Sequence, residues 1–565
     1  MMEQQNYKTD VLIIGSGAAG MMAARAASDK GANVIIADKS LVGRGGATIL
    51  AQMTVAVALG EAEDDNPEIH FQDTMEGSRG LADPDIVRGI VERGPEVILE
   101  VEGYGVRWAR TEDGKRSQVV SPGHSRKRCV YVDILNTGGA TSNGLRRAIW
   151  KDEKISRLKN IMLTRLVKKD GRVVGAVGFS IEEMAPVSIS ASQVILATGG
   201  LTEVYKRNSA SANMTGDGFV LAAKAGAELR DMEMVQFFPI AHLFPPLVGI
   251  DPIMWDPFRY KLGGRLLNGN EEEFMDRYAG EKAGKYTATR DMTSYAIFKE
   301  VEAGRGTPHG GAYLDFRMVP EDKLRAGFGP VIDILLSQGI DLTKEMVEVA
   351  PMAHFMLGGI RVDKDMKTSV EGLLVCGELI YGMHGANRLS GNAITEALVT
   401  GRIAGETAAE LPKEHDDEFV KQELKVEWDN LNKFWYPVEV NKDEKFTLEM
   451  RHRLQEVMWE EAGPLRSEEL LEKALGHIKK LQSDLTDYAL AQQDKYGLSH
   501  VEKIENYNMA LLGEAIIKGA LERKESRGAH VRLDYPEQRE TTYSSSFRLN
   551  SNQVWNLERI EMPEK

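Results

Sequence analysis

Residues 10–20, DVLIIGSGAAG, constrain the fold of this chain more than any other stretch. An apolar run leads straight into glycines at 15, 17 and 20, and the helix-forming MMAARAASDKG follows. A strand that ends in GxGxxG before a helix opens a βαβ dinucleotide unit. Gly15 permits the tight turn, Gly17 lets the backbone approach a pyrophosphate, and Gly20 lets the helix pack on the strand. The helix N-terminus then offers N–H groups and the positive end of its dipole to the phosphates. A second apolar run, ANVIIAD, ends in Asp38, placed to accept hydrogen bonds from ribose hydroxyls.

The chain has 565 residues, too many for one core, so two to four domains are expected. A net charge of -15 argues against nucleic acid, which needs clustered Lys and Arg to neutralise phosphates, and against an anionic membrane surface. No apolar stretch approaches a bilayer span and no signal region opens the chain, so a cytoplasmic protein without direct membrane insertion is expected. Only Cys129 and Cys376 occur, without CxxC spacing, so no metal site is expected and any redox centre in the chain must be organic.

NAD and FAD both use the N-terminal unit, and later segments bear on the choice. SQVILATGG closes a strand in Thr198-Gly199-Gly200, and EGLLVCGEL closes another in Gly377-Glu378. HGANRLSGNAITEALVTGRIAGE then places a glycine turn, with Ser390, Gly391 and Asn392, before a long helix whose N-terminus could face an electron-rich ring edge. A cofactor touched by segments this far apart is long, which favours FAD.

These segments, with RDMTSYAI (290–297), HFMLGGI (354–360) and ERKESRGAHVRLDYPE (522–537), carry a resemblance that runs almost end to end. The chain resembles the flavoprotein subunits of succinate dehydrogenase and fumarate reductase, with L-aspartate oxidase and soluble fumarate reductases as relatives. The resemblance implies an α/β fold: a Rossmann-like FAD-binding domain, an inserted α+β capping domain and a C-terminal helical domain. The expected boundaries are 1–245 and 350–412 for the FAD-binding domain, 246–349 for the cap, 413–530 for the helical domain and 531–565 for an extension. That extension is rich in turn-forming residues, has little periodicity, and is expected to wrap a surface.

By the same resemblance, hydride passes between FAD and one carbon of a double bond beside a carboxylate, while Arg290 exchanges a proton with the other carbon. An arginine acid is reasonable only if a carboxylate relays protons to it. Asp256 and Arg259 keep the family's acid-to-arginine spacing when one inserted residue is allowed. His354 and Arg388 occupy the positions that hold the carboxylate beside the reacting bond. Further cofactor contacts are expected at Ala18, Ala19, Lys39, Gly46, Ala47, Thr48 and Asp217.

Two departures shape the expected substrate and cofactor attachment. Phe238, Ile240 and Trp255 stand where the family binds a second carboxylate with a histidine and two threonines. Phe238 and Trp255 are therefore expected to contact an apolar or aromatic tail. Ala47 stands where complex II flavoproteins carry the histidine that bonds FAD, so FAD is expected to be non-covalent.

The leading expectation is an FAD-dependent reductase or dehydrogenase acting on an unsaturated carboxylate. The alternative is a fumarate reductase or succinate dehydrogenase subunit with a remodelled pocket. Aspartate oxidase fits less well because its substrate is also a dicarboxylate, and a non-catalytic FAD-bearing subunit is disfavoured by Arg290, His354 and Arg388 occurring together. Electrons would reach the chain from an iron–sulfur partner, through which it could associate with a membrane. Denaturing the purified protein is expected to release all of its flavin as free FAD; flavin fluorescence remaining on the denatured polypeptide would contradict this reading of Ala47.

Overall fold

The structure, a computed structural model, describes residues 4–132, 135–209, 211–248, 253–255, 258–259, 262–279, 290–437, 445–490 and 497–562. Its centre is a seven-stranded sheet. The Gln5–Ile14 strand pairs in parallel with Val34–Ala37 on one side and Ala185–Leu196 on the other, and Ile155–Leu158 extends the sheet beyond Val34–Ala37. The strands Val11–Ile14 and Val34–Ala37 are apolar and buried, as a parallel sheet covered on both faces requires.

The Ala185–Leu196 strand is used twice on its far edge. Residues 185–190 pair antiparallel with Arg172–Ser180, while residues 194–196 pair in parallel with Leu373–Val375. A segment far downstream thus returns to the sheet, as expected for a domain interrupted by an insertion.

The helices Ala18–Asp29 and Asn392–Glu410 lie against each other on this sheet. Their contact is backbone to backbone: a Cβ at Gly401 would lie 2.3 Å from Ala19 O, and one at Gly405 would lie 2.3 Å from Ala23 O. Two glycines one turn apart on one helix face therefore let the helices touch.

The inserted region builds its own four-stranded antiparallel sheet in the order Val235–Phe244, Val347–Met356, Ala312–Asp315, Arg265–Leu267. By strand pairing, this sheet reaches outside 246–349 at both ends. Its core is apolar and separate, with Ile240, Trp255, Phe258, Phe316 and Phe328 among its members.

Four helices, Asp417–Trp435, Phe446–Ala462, Glu468–Asp487 and Leu498–Glu522, form the helical part. The end of the chain differs from expectation. Tyr543–Leu549 and Trp555–Glu561 pair as a hairpin and complete a sheet with Leu229–Arg230 and Gly359–Ile360. The signal is weak because Ser544, Ser545 and Ser546 are buried on both faces of the strand, where apolar residues would normally mark burial.

Those serines meet a buried ionic knot. Arg523 is fully buried, with Glu233 Oε1 at 2.7 Å, Asp231 Oδ1 at 3.0 Å and Glu525 Oε1 at 3.1 Å. Ser545 donates its backbone N–H to Asp231 and its hydroxyl to Glu233, so the knot joins the FAD-binding domain, the last long helix and the C-terminal hairpin. Burial, above all, raises the pKa of Asp231. Removing Arg523 would leave Asp231 and Glu233 buried and uncompensated, so Arg523→Ala is expected to lower stability by about 3–5 kcal/mol, measured as a fall in the urea unfolding midpoint.

Candidate active site

A long cleft runs between the sheet, the cap and the helix Asn392–Glu410, with an empty volume of about 1760 Å³ including its mouth. One end is the glycine turn. Gly15 has φ +100°, and a Cβ there would lie 2.4 Å from Ala197 O, so no other residue makes this turn without displacing the adjoining strand. Gly15, Gly17, Ala18, Ala19, Gly46, Ala47 and Thr48 line this end, with Thr48 Oγ1 accepting from Ala18 N at 3.0 Å. Gly20 faces the turn instead of the cleft; a Cβ there would lie 2.0 Å from Gly15 O.

Asp38 borders the cleft. Its Oδ2 accepts from Ser16 N at 2.9 Å, and its Oδ1 accepts from Ser40 N at 2.8 Å, which fixes the carboxylate at the strand end. Lys39 and Asp217 also line the cleft, but they answer each other. Lys39 Nζ lies 2.7 Å from Asp217 Oδ2 and 2.7 Å from Glu505 Oε1 on the Leu498–Glu522 helix. The ammonium is thereby engaged as a strut between domains.

The middle and far walls fit a long polar ligand. Thr198 lines the cleft, while its Oγ1 is buried without a hydrogen-bond partner and packs toward Gly218, where a Cβ would lie 2.2 Å from it. Gly199, Gly377, Glu378, Ser390 and Gly391 line the same wall. Burial pushes the Glu378 carboxyl up to about 8, and its Oε1 accepts from Met356 N at 3.0 Å. Asn392, expected among the cofactor contacts, points elsewhere: its side chain is fully buried against His70 and Thr74.

At the end remote from the glycine turn, three basic side chains converge on the cleft. Arg290 opens the Arg290–Glu302 helix, sits 4.8 Å over the Phe238 ring and donates to Ser390 Oγ at 3.4 Å. Arg388 is held by an amide and a ring: Nε donates to Gln236 Oε1 at 3.1 Å, and the guanidinium lies 4.7 Å over Phe355. Burial, then the neighbouring Arg290, push Arg388 below the ordinary arginine range. His354 Nδ1 is 2.7 Å from Ser209 Oγ. Burial first, then Arg388 and Arg290, hold the His354 imidazole well below its usual pKa, so it is neutral at physiological pH.

The structure corrects the expected apolar wall. Residues 253–255 run extended beside 240–242, with His242 N donating to Ile253 O and Trp255 N to Ile240 O. Neighbours on an extended backbone face opposite ways, so Met254 lines the cleft while Ile253 and Trp255 enter the cap core. Trp255 is fully buried there, its Nε1 donating to His242 Nδ1 at 3.2 Å. Ile240 is in the same core, turned there across the irregularity between Phe238 and Ala241. Phe238 alone of the three faces the cleft, joined by Met53 and Met254. Arg259 is buried in the cap outside the cleft lining, and Asp256 lies outside the described residues.

Gln236 and Ser209, which touch Arg388 and His354, and Met254, packed with Phe238, went unpredicted. Gln236 carries no simple signal, because the register shift between Gln236 and Phe237 breaks the alternation that would relate it to Phe238. Ser209 carries none: it reaches His354 only because Ser209 N bonds Ala353 O across the chain. Met254 needed the register of a segment too short to show a period.

The comparisons with known proteins show the family. The FAD binding domain model matches residues 10–394, and the fumarate reductase flavoprotein C-terminal model matches residues 451–561. The chain belongs to the succinate dehydrogenase/fumarate reductase flavoprotein family. It is 36% identical to a subunit of the fumarate reductase (CoM/CoB) of Methanothermobacter marburgensis, over 95% of this chain and 96% of the relative. It is 31% identical to the succinate dehydrogenase flavoprotein subunit of Rickettsia conorii, over 94% and 91%. A solved structure of Escherichia coli quinol fumarate reductase superposes with a TM-score of 0.90 at 29% identity, covering 99% of this chain and 98% of the other. The family is one of FAD-dependent oxidoreductases acting on CH–CH groups, and FAD is the cofactor.

A neutral His354 has a consequence for pH dependence. Because its pKa is lowered, the charged form is absent from the free enzyme well before ordinary histidines titrate, near pH about 6.5. Since kcat/KM reports the free enzyme, it is expected to show no limb near that pH. A rise in kcat/KM on acidification through this range, lost in His354→Gln, would show that the imidazolium is the working form.

Proposed function

We propose that this chain is the flavoprotein subunit of an enzyme that interconverts an unsaturated carboxylate and its saturated counterpart. The observation that carries this reading is the convergence of Arg290, Arg388 and neutral His354 at the end of the cleft remote from the glycine turn. When bound, FAD supplies or accepts the hydride. The protein does the rest.

Arg388 and His354 bind the carboxylate beside the double bond. Ser209 Oγ at Nδ1 fixes the orientation of the imidazole, and the guanidinium adds a charge-assisted pair. Together they draw electron density from the alkene, which makes the carbon that accepts hydride more electrophilic. Arg290 gives a proton from its guanidinium to the other carbon, so hydride and proton together saturate the bond. Its geometry is held by Phe238 and Ser390. Arg259 and Asp256 are proposed to resupply that proton from the cap.

The substrate's far end is proposed to be apolar. Phe238, Met254 and Met53 face that part of the cleft. Burying an aryl or branched alkyl group there gains about 1.5–3 kcal/mol, whereas a second carboxylate would shed its water against rings and thioethers. A second reading, fumarate itself, is favoured by the name of the fumarate reductase relative, which is 36% identical over 95% of the chain.

Electrons are proposed to come from an iron–sulfur partner. Both relatives are named as subunits, which supports an assembly, and both cysteines here are buried and unbridged. Among the described residues no helix is long and apolar enough to cross a membrane, so membrane association is proposed to depend on that partner.

Anaerobic reoxidation of the reduced protein by a panel of enoates tests the substrate. An aryl or alkyl acrylate is expected to exceed fumarate in second-order rate by about a hundredfold, the equivalent of about 2.7 kcal/mol, and Phe238→His is expected to shift the ratio toward fumarate. Preference of the wild-type protein for fumarate would establish the second reading; reaction with no enoate would refute both.

A further inference from the structure

The turn that opens the Asn392–Glu410 helix meets the catalytic end of the cleft: Ser390, Gly391, Ala393 and Ile394 line it, and Arg290 donates to Ser390 Oγ. Behind this turn, away from the cleft, lie two buried histidines that the mechanism does not use. His124 Nε2 is 2.7 Å from Ser390 O. A carbonyl only accepts, so Nε2 carries the proton.

His70 Nε2 is 2.9 Å from Asn392 Oδ1, and Asn392 Nδ2 donates to Thr74 Oγ1 at 3.2 Å, which makes His70 a donor as well. The rings meet edge to face with centroids 5.6 Å apart. Neither Nδ1 has a hydrogen-bond partner. Burial above all lowers both imidazoles, with Arg128 adding to the effect in each, and both are neutral.

A third donor acts in the same direction. Ala56 N bonds Gly391 O at 3.1 Å. Two successive carbonyls and one side-chain amide oxygen at the mouth of the helix are thereby taken up by groups outside the cleft. We propose that His124 and His70 are positioning residues for the redox chemistry: as neutral N–H donors they hold the acceptors of Ser390 and Asn392 away from the cleft, leaving helix N–H groups to face the flavin.

The physical effect follows from sign. A helix N-terminus carries roughly half a positive charge, and a carbonyl oxygen turned into the same space would oppose it. Reduction adds electrons to the cofactor, so an N–H-lined turn stabilises the reduced form and raises the potential. The proposal rests on FAD being the cofactor and not on the choice of substrate.

The test uses the full-length chain loaded with FAD and no substrate. The two-electron midpoint potential is measured in His124→Leu, His124→Asn and His124→Gln, with thermal midpoint and FAD retention measured alongside. Leucine removes the donor, asparagine is too short to reach Ser390 O, and glutamine reaches it.

Leu and Asn are expected to shift the oxidised-to-reduced equilibrium at least tenfold toward the oxidised form, about 30 mV for a two-electron couple, while Gln stays close to wild type. His70→Leu is expected to act in the same direction. Should the leucine variants fail to fold, Gln against Asn decides. Equal potentials in those two, or a potential unchanged in a folded donorless variant, would overturn the proposal and leave the pair a packing feature.

Discussion

Two guanidinium groups share one end of a largely apolar cleft, and much of the site is arranged to make that tolerable. Burial and the nearness of Arg290 together depress Arg388, yet both side chains stay inside the protein. Each rests on an aromatic face, Phe238 for one and Phe355 for the other. Such contacts are worth about 0.5–2 kcal/mol apiece. Gln236 and Ser390 add hydrogen bonds without adding negative charge. These two hydrogen bonds thus come from neutral groups, and burial and the neighbouring guanidinium remain the causes that push Arg388 down. His354 is kept neutral by the same neighbours, since burial and the two guanidinium groups all disfavour a third cation at this point.

The dinucleotide half was legible because its residues act locally. The strand, Gly15 and the helix after it are neighbours in sequence and in space, and the physics that places them is that of a single turn. The placement of Asp38 at a strand end beside the cleft was legible for the same reason. Lys39 does line the cleft; its ion pairs were not legible because one partner lies far along the chain, Glu505 being on a helix near the C-terminus. Arg290, His354 and Arg388 came from motif resemblance, and the folded chain brings all three to one wall.

The distal wall shows where reading a sequence by alignment runs out. A one-residue difference in an extended segment exchanges the inside of a domain for its cavity. Trp255 and Met254 are adjacent, and their destinations differ entirely. The irregularity after Phe238 does the same to Ile240. Neither event has a composition signal, because indole, thioether and branched alkyl groups are equally at home in a core and along an apolar cleft wall. The buried serines of the C-terminal hairpin fail in the opposite sense, since a strand buried through hydroxyls reads as a loop.

The close packing of the helices Ala18–Asp29 and Asn392–Glu410 ties the two ends of the cleft together. One begins at the glycine turn, the other at the Ser390–Asn392 turn, and Gly401 and Gly405 seat the second against the backbone of the first. They act as the jaws of a calliper whose setting is locked by van der Waals contact and not by a loop. A molecule that spans the gap engages both jaws without having to bring them together, whereas a shorter flavin lacking the adenylate half meets one jaw at a time. The spacing of two helix ends thus sets the distance between the two ends of the cleft, and a β-carbon at either glycine would alter that gauge from outside it.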